Sequence, residues 1–374
     1  MHIGLNLIYL VPDETGGMET YARELIPALL RERPGLRLTA FVNREAAEAS
    51  QGPWWQFIPA VTVPVRARQR SQWVRGEQQL LPPLAKRSGV DLVHSLASTA
   101  PTWGAFRRVV TIHDVIYRMY PEAHPGLRSL AMRLIVPLAA RRSHRIIVPS
   151  VATREDLIRL LKVPPGRIEV VPNGLGTSPP LHWVTEEELR RRHDLGTRPF
   201  VLTVSAKRPH KNLIRLVEAL AVIPNERRPI LVLPGYATSH EEELRAFSAR
   251  LGLAADTRFL GWVSDEELEG LYRCAACFVF PSLYEGFGLP VLEAMARGVP
   301  VACSDRGALA EVIDGAAVMF DPEQPRGIAA AIERLLADPA ERDRLSSAGR
   351  ANAARFSWAE TARRTLRTYE LALE

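Results

Sequence analysis

The feature that most constrains this 374-residue chain is an alternation of short apolar runs and longer amphipathic segments, played through twice. In the first half, strands are expected at residues 2–7, 36–42, 92–94, 109–112, 145–148 and 169–171. Helices are expected at 17–31, 129–140 and 152–161; the first puts Leu25, Ala28 and Leu29 on one face. Strands separated by helices imply a parallel sheet with crossover connections. The pattern breaks at Val171-Pro-Asn-Gly-Leu-Gly, with Pro179-Pro180 soon after, which reads as a linker. It then restarts: a helix at 185–193, strands at 200–204, 230–233, 258–260, 277–280 and 300–302, and helices at 213–220, 241–251, 265–273 and 290–297. Ser264 is a natural cap for the acidic start Asp265-Glu266-Glu267. A chain of this length exceeds one ordinary core. The expected fold is α/β, with two tandem Rossmann-like, doubly wound domains. In such sheets ligands bind beyond the carboxyl ends of the strands, and two facing domains would trap one in the cleft between them.

Composition excludes several classes. No apolar run approaches the roughly 20 residues of a membrane span. The opening MHIGLNLIYL lacks a basic flank and reads as a buried first strand rather than a signal peptide, so a cytoplasmic location is expected. Three cysteines, Cys274, Cys277 and Cys303, do not make a disulfide framework. The Cys274-Ala-Ala-Cys277 spacing sits in an apolar segment without a second pair, and buried small side chains are the expectation. Charge is uneven: residues 1–175 carry 23 Lys and Arg against 14 Asp and Glu, the remainder 25 against 28. Arg66, Arg68, Arg70 and Arg75 flank Trp73, and Arg141, Arg142 and Arg145 lie together. A basic first half suits an anionic partner, a membrane surface or a phosphate-bearing acceptor, or is simply a solvated arginine-rich face. No nucleic-acid motif accompanies the charge. Lysine is scarce, with only Lys86, Lys162, Lys207 and Lys211.

Four stretches carry chemistry. In Pro281-Ser-Leu-Tyr-Glu285-Gly-Phe-Gly288-Leu-Pro-Val-Leu-Glu293, a strand ends, Gly286 and Gly288 permit an unusual turn, and Pro290 opens a helix. The amides near Gly288 and Leu289 then form an anion site at the positive end of that helix, with Glu285 before it and Glu293 in its first turn. Carboxylates repel phosphate and accept from hydroxyls, so the ligand should be hydroxyl–phosphate–hydroxyl: sugar, diphosphate, ribose. An ordinary capping turn would leave the same local pattern. The loop Ser205-Ala-Lys-Arg-Pro-His-Lys211-Asn212 follows the first strand of the second domain, and Lys207, Arg208 and Lys211 concentrate positive charge where such domains meet phosphate. It is not a Walker loop. Asp13-Glu-Thr-Gly16-Gly17 opens the first helix; it lacks the dinucleotide fingerprint and suits close backbone approach or a plain tight turn. His113-Asp114 ends a strand of the first half and fits acid–base, metal-binding or merely polar roles. No His/Asp cluster at ligand spacing and no D-x-D pair points to a metal.

Together these stretches resemble the retaining glycosyltransferases of the GT-B fold, glycosyltransferase family 4. The resemblance covers nearly the whole chain. It rests on the E-x7-E element Glu285 to Glu293 with its flanking Phe-Pro-Ser and Gly-Val-Pro-Val. Gly16-Gly-Met-Glu-Thr-Tyr21, residues 109–114, Val171-Pro-Asn-Gly174, Lys211-Asn212, Phe259-Leu-Gly-Trp-Val-Ser264 and Phe356-Ser-Trp358 are also similar. The resemblance implies an acceptor-binding domain at 1–172, a nucleotide-sugar domain at 173–355, and a C-terminal helix at 356–374 crossing back to the first domain. It implies that Glu285 meets donor-sugar hydroxyls, Glu293 the ribose, and Lys211 with the Gly286, Phe287, Gly288 and Leu289 backbone the diphosphate. Val263 would receive the base, and His113, Gly16 and Gly17 would face the sugar. Where the family often has glycine and arginine, this chain has Ser205 and Ala206, with Arg208 as the substitute cation. His113, Lys211 and Glu285 are the expected catalytic residues, with no metal and no cofactor beyond the nucleotide-sugar co-substrate, a GDP- or UDP-hexose. The expected activity is retaining hexosyl transfer to a lipid-linked or cell-surface glycan in polysaccharide biosynthesis, at the inner face of the membrane. A small soluble acceptor, a GT-B epimerase and a non-catalytic nucleotide-sugar binder are the alternatives.

Overall fold

The computed structural model describes residues 1–12, 14–49, 58–121, 127–175 and 180–374. The chain forms two compact units, one comprising Met1–Gly176 with Phe356–Glu374, the other Thr177–Arg355. Two expectations, Asp13 beside the first glycine pair and the 176–179 part of the linker including Pro179, fall outside the described residues.

Among the described residues the first unit holds seven strands: β1 (His2–Leu7), β2 (Arg37–Val42), β3 (Ala60–Thr62), β4 (Leu92–Ser95), β5 (Arg107–Thr111), β6 (Arg145–Val148) and β7 (Ile168–Val170). Their spatial order is 3-2-1-4-5-6-7, and every neighbouring pair is parallel. β1 is buried throughout, so His2, Gly4 and Asn6 are covered as fully as the Ile3, Leu5 and Leu7 that alternate with them, as in a parallel sheet packed on both faces. The second unit repeats the plan with β8 (Phe200–Leu202), β9 (Ile230–Pro234), β10 (Thr257–Gly261), β11 (Cys277–Phe280), β12 (Val301–Ser304) and β13 (Val318–Phe320), ordered 10-9-8-11-12-13 and all parallel. In both sheets the order reverses beside the first strand, between β1 and β4 and between β8 and β11. These are the switch points at which doubly wound sheets leave a crevice beyond the strand ends.

Two strands escaped the sequence reading. β3 and β13 are three-residue edge strands without a buried apolar run, so the pattern that reveals central strands is absent. Helix ends follow chemistry that is visible locally. Ser150, Thr185, Ser264 and Ser357 each accept a backbone N–H in the first turn of the helix they precede.

The final helix, Trp358–Leu373, belongs to the first unit. Trp358, Ala362, Leu366, Tyr369 and Ala372 join the core around Ile3, Leu5, Tyr21 and Leu25. This corrects the linker reading of Val171-Pro-Asn-Gly174. Gly174 packs so tightly that a Cβ there would lie 2.4 Å from the Trp358 amide. The Leu175 amide donates to Phe356 at 3.1 Å, and Thr361 Oγ1 donates to the Pro172 carbonyl at 2.7 Å. The segment is a seat for the returning helix, and its glycine is there for close approach.

Candidate active site

At the switch point of the second sheet, the loops after β8 and β11 meet. A 3₁₀ turn, Pro209–Lys211, follows β8 and ends at Asn212, which takes the left-handed conformation at φ 58°. Asn212 Nδ2 donates to the Pro281 carbonyl at 3.0 Å and to the Pro322 carbonyl at 2.8 Å, and the Leu283 amide donates to the His210 carbonyl at 2.8 Å. These bonds fasten the two loops, and Lys211 Nζ lies 2.5 Å from Glu285 Oε1 and 5.3 Å from the centre of the Phe280 ring. Both members of the ion pair are largely buried, with side chains 16% and 11% exposed. The Glu285 backbone is held in turn: its carbonyl accepts from Ala308 at 3.2 Å, and a Cβ on Gly307, at φ 59°, would come within 2.9 Å of that oxygen.

Past Glu285, the buried Gly286 and Phe287 lead to Gly288, at φ 111°, and the helix Leu289–Ala296. Among the described residues no hydrogen bond engages the amides of Gly288 and Leu289, and no side chain caps the helix. Glu293 is the fifth helical residue, so it lies in the second turn, not the first as expected. Leucine rather than Pro290 opens the helix and moves the count by one. Its partner is Tyr272, whose Oη donates to Oε2 at 3.0 Å. Burial raises the Glu293 carboxyl above the usual carboxylate range, against the opposing pull of Arg297.

The basic loop divides. Lys207 is fully buried and donates to the Leu233 and Gly235 carbonyls at 2.8 and 2.6 Å, so it braces β9 instead of adding charge to the crevice. Desolvation lowers its pKa to about 8. Arg208 is half-buried at the entry to the 3₁₀ turn. Ser205 packs against Gly235, whose φ of 121° leaves no room for a side chain beside the Ser205 carbonyl. The hydroxyls of Thr203, Ser205 and Ser282, all on the two loops at the switch point, are buried and have no hydrogen-bond partner among the described residues. Val263 is half-buried beside Trp262, which is 64% exposed and lies 4.6 Å from the Tyr236 ring.

The first unit is built differently at the same end. Gly16, at φ 60°, precedes the helix Gly17–Glu32, and a Cβ on either glycine would meet nothing within 4 Å. The backbone there stands open. Glu14 pairs with Arg68, and Glu19 with Arg23 at 2.7 Å. His113 follows β5; its Nε2–H donates to the Leu96 carbonyl at 2.8 Å, which leaves Nδ1 as the acceptor of the neutral ring. Burial lowers its pKa. The Tyr21 ring meets His113 edge-on at 4.9 Å. The Asp114 carboxylate accepts from the Ile116 amide at 3.0 Å and so shapes its own turn. Behind His113 lies a buried chain that the sequence did not disclose. Tyr369 Oη and His94 Nδ1 are 2.8 Å apart, His94 Nε2 and Thr111 Oγ1 2.8 Å, and Tyr21 Oη and Thr111 Oγ1 3.3 Å.

Residues 15–178 match the family described as Glycosyltransferase Family 4, and residues 185–352 match Glycosyl transferases group 1. The O-antigen chain mannosyltransferase B of Escherichia coli is 34% identical over 270 residues, covering 71% of this chain and 70% of that one. The chain belongs to glycosyltransferase family 4. This glycosyltransferase is also 29% identical over 266 residues to the serotype-specific mannosyltransferase WbdA of Escherichia coli, of which it spans 32%. Among solved structures, Anabaena HepE in complex with UDP-glucose superimposes with a TM-score of 0.75 over 98% of this chain and 100% of that one. At 21% identity that likeness establishes the GT-B fold.

Sequence reasoning gave no role to several residues that the structure brings to the glycosyltransferase's two strand-end regions: Asn212, which it named only beside Lys211, with Thr203, Ser282 and Tyr272 in the second unit, and His94, Thr111 and Tyr369 in the first. Asn212 and His94 carried a signal, one adjoining the loop lysine and the other near the end of a strand at a switch point. Tyr369 and Tyr272 are ordinary helical aromatics in sequence, and only packing gives their hydroxyls partners.

Proposed function

We propose that the protein is a retaining glycosyltransferase that moves a hexosyl group from a nucleoside-diphosphate sugar to a lipid-linked or cell-surface glycan. The observation that carries this reading is the Lys211–Glu285 contact at the second switch point, beside unengaged helix-start amides. A cation and a carboxylate within one hydrogen bond of each other suit the junction where a sugar hydroxyl meets a phosphate. On donor binding, Lys211 exchanges Glu285 for the diphosphate, and Glu285 is released to accept from the sugar. The Gly288 and Leu289 amides hold the phosphates at the positive end of the helix. The partnerless hydroxyls of Thr203, Ser205 and Ser282 stand ready as donors. Glu293 accepts from the ribose, and the half-buried Val263 segment receives the base.

Charge develops on the departing diphosphate, and Lys211 with the amides stabilises it there. Metal-independence follows as a proposal; transfer that survives EDTA supports it, and transfer restored only by a divalent cation opposes it. Retention is proposed to arise from attack on the face of departure, with the leaving phosphate oxygen taking the acceptor hydroxyl's proton. One C–O bond breaks as one forms. NMR of the product decides, because an inverted anomeric centre rules this route out. His113 offers Nδ1 to a sugar hydroxyl, and the open backbone at Gly16 and Gly17 admits close approach.

Mannose is the preferred sugar, because the matched relative is named a mannosyltransferase. HepE was solved with UDP-glucose, so both bases belong in the test. A panel of GDP- and UDP-sugars scored by thermal shift and turnover should single out one donor. A uniform shift across the panel, with no turnover in membrane extracts, would leave only a nucleotide binder.

Acceptor handling is assigned to the first unit, with peripheral contact at an anionic membrane. Its helix Leu127–Arg142 exposes Leu130, Leu134 and Leu138 at four-residue spacing, with Arg133, Arg141 and Arg142 on the same helix. A leucine stripe among arginines suits an interface of acyl chains and anionic headgroups. Flotation with anionic vesicles, lost in Leu134→Glu, is the expected outcome.

A further inference from the structure

The first unit carries an open pocket, of about 590 Å³, at the amino ends of β5 and β6. It lies at the opposite edge of the sheet from His113, which follows the carboxyl end of β5. Six arginines line it: Arg107, Arg108, Arg141, Arg142, Arg145 and Arg167. Three of them are committed to the scaffold. Arg108 donates to the Arg142 carbonyl at 2.9 Å, Arg167 to the Ala140 and Arg141 carbonyls at 2.9 and 3.1 Å, and Arg145 to the Gly166 carbonyl at 2.6 Å. Arg108 and Arg167 thereby cap the carbonyl end of the helix Leu127–Arg142.

The guanidiniums of Arg107, Arg141 and Arg142 make no ion pair or hydrogen bond among the described residues. Carboxylate is scarce: Glu169 stands 3.5 Å from Arg145, and Glu374 lines the cavity. Ser143, 2% exposed, adds a hydroxyl with no hydrogen-bond partner among the described residues. His144 Nδ1 accepts from the Arg108 amide at 3.0 Å, so the neutral ring carries its proton on Nε2, a further donor. Burial, then the charges of Arg108, Arg107 and Arg167, lower the His144 pKa. Burial likewise lowers those of Arg108 and Arg167, with neighbouring arginines adding to it. Positive charge outweighs negative here and acts on His144, Arg108 and Arg167, and a buried hydroxyl without a partner calls for an explanation.

We infer that this cavity is an anion site for a diphosphate or comparably charged phosphate group, held by Arg107, Arg141, Arg142, Ser143 and His144. The volume is that of an ordinary small-ligand pocket. Three free guanidiniums match an anion of two or three charges, which arginine forks bind bidentately. The site is separate from the crevice proposed for the donor and does not depend on that reading.

Calorimetry on the full chain tests it, with inorganic diphosphate as the probe and Lys211→Ala as the background, so that the donor crevice is weakened. Binding should persist in that background and weaken as salt rises. It should fall about tenfold or more when Arg141 and Arg142, both exposed, become glutamine. Ser143→Ala, which removes no hydrogen bond from the free protein, should weaken it several-fold with the melting temperature unchanged. A parallel arm uses vesicles of phosphatidylcholine with and without phosphatidic acid. A loss with free diphosphate alone assigns a soluble ligand, and a loss with both probes admits a lipid headgroup phosphate to the cavity; a loss confined to the acidic vesicles assigns these arginines to the membrane contact of their helix and counts against the cavity. Equal binding of both probes by the parent and the Arg141→Gln/Arg142→Gln protein overturns the inference.

Discussion

The carboxyl ends of the two sheets invite comparison, because the strand order around each switch point is the same and the side chains at its centre differ in charge. Beyond β8 and β11 stand an ion pair, a second carboxylate and unengaged amides. At the ends of β4 and β5 stand histidines held neutral by burial, His94 within β4 and His113 just past β5, with tyrosine and threonine hydroxyls around them. One end is suited to an anion that gains charge as it leaves, the other to groups that only exchange hydrogen bonds. Topology fixes where a ligand goes, and the loops decide which chemistry it meets.

The sharpest break of that comparison is Lys211→Ala. Loss of the cation should lower kcat about 100-fold or more, about 3 kcal/mol of barrier, by analogy with removal of an oxyanion donor. A loss below tenfold in steady-state assays would mean that the charge at this end is incidental. Next comes Tyr369→Phe, which strips His94 Nδ1 of its partner in a buried site. It should cost about 1–3 kcal/mol of stability in the first unit, read by denaturant unfolding.

The same network sets a pH dependence. Burial lowers His94 from 6.5 to about 3. The unfolded imidazole therefore takes up a proton as pH falls below 6.5 while the folded one does not, and stability declines by up to about 1.4 kcal/mol per pH unit. Stability above pH 6.5 is unaffected by this group, and His94→Gln should flatten the acid limb. The smallest effect expected is at Glu293, whose carboxyl is raised by burial. It accepts fully only when ionised, so nucleotide affinity should climb a few-fold with pH through its titration. That slope should vanish in Glu293→Gln.

Legibility in the sequence followed the same divide. β1, β6 and β11 could be read residue for residue, β6 and β11 from near-continuous apolar runs and β1 from the alternating Ile3, Leu5 and Leu7. β3 and β13 could not, because edge strands need none. Glu285, Glu293 and Lys211 stood out through glycine, proline and scarce lysine around them. The loop's charges looked alike in sequence, yet Lys207 turns inward to carbonyls of β9 and its following residue, and only packing could separate it from Lys211. The Tyr369–His94–Thr111 chain joins residues 275 and 17 positions apart, and no local pattern announces it. The returning helix explains Gly174, which in sequence is just another linker glycine.

The central claim is that Lys211 is shared between Glu285 and the diphosphate, while Glu293 serves the ribose. Calorimetric binding of bare GDP and UDP to Glu285→Gln and Glu293→Gln tests it most directly. Glu285→Gln should bind the preferred nucleotide at least as tightly as the parent, because Lys211 is released to it. Glu293→Gln should bind it about tenfold more weakly, as expected for a lost charge-assisted hydrogen bond. Equal weakening in both variants would contradict the account.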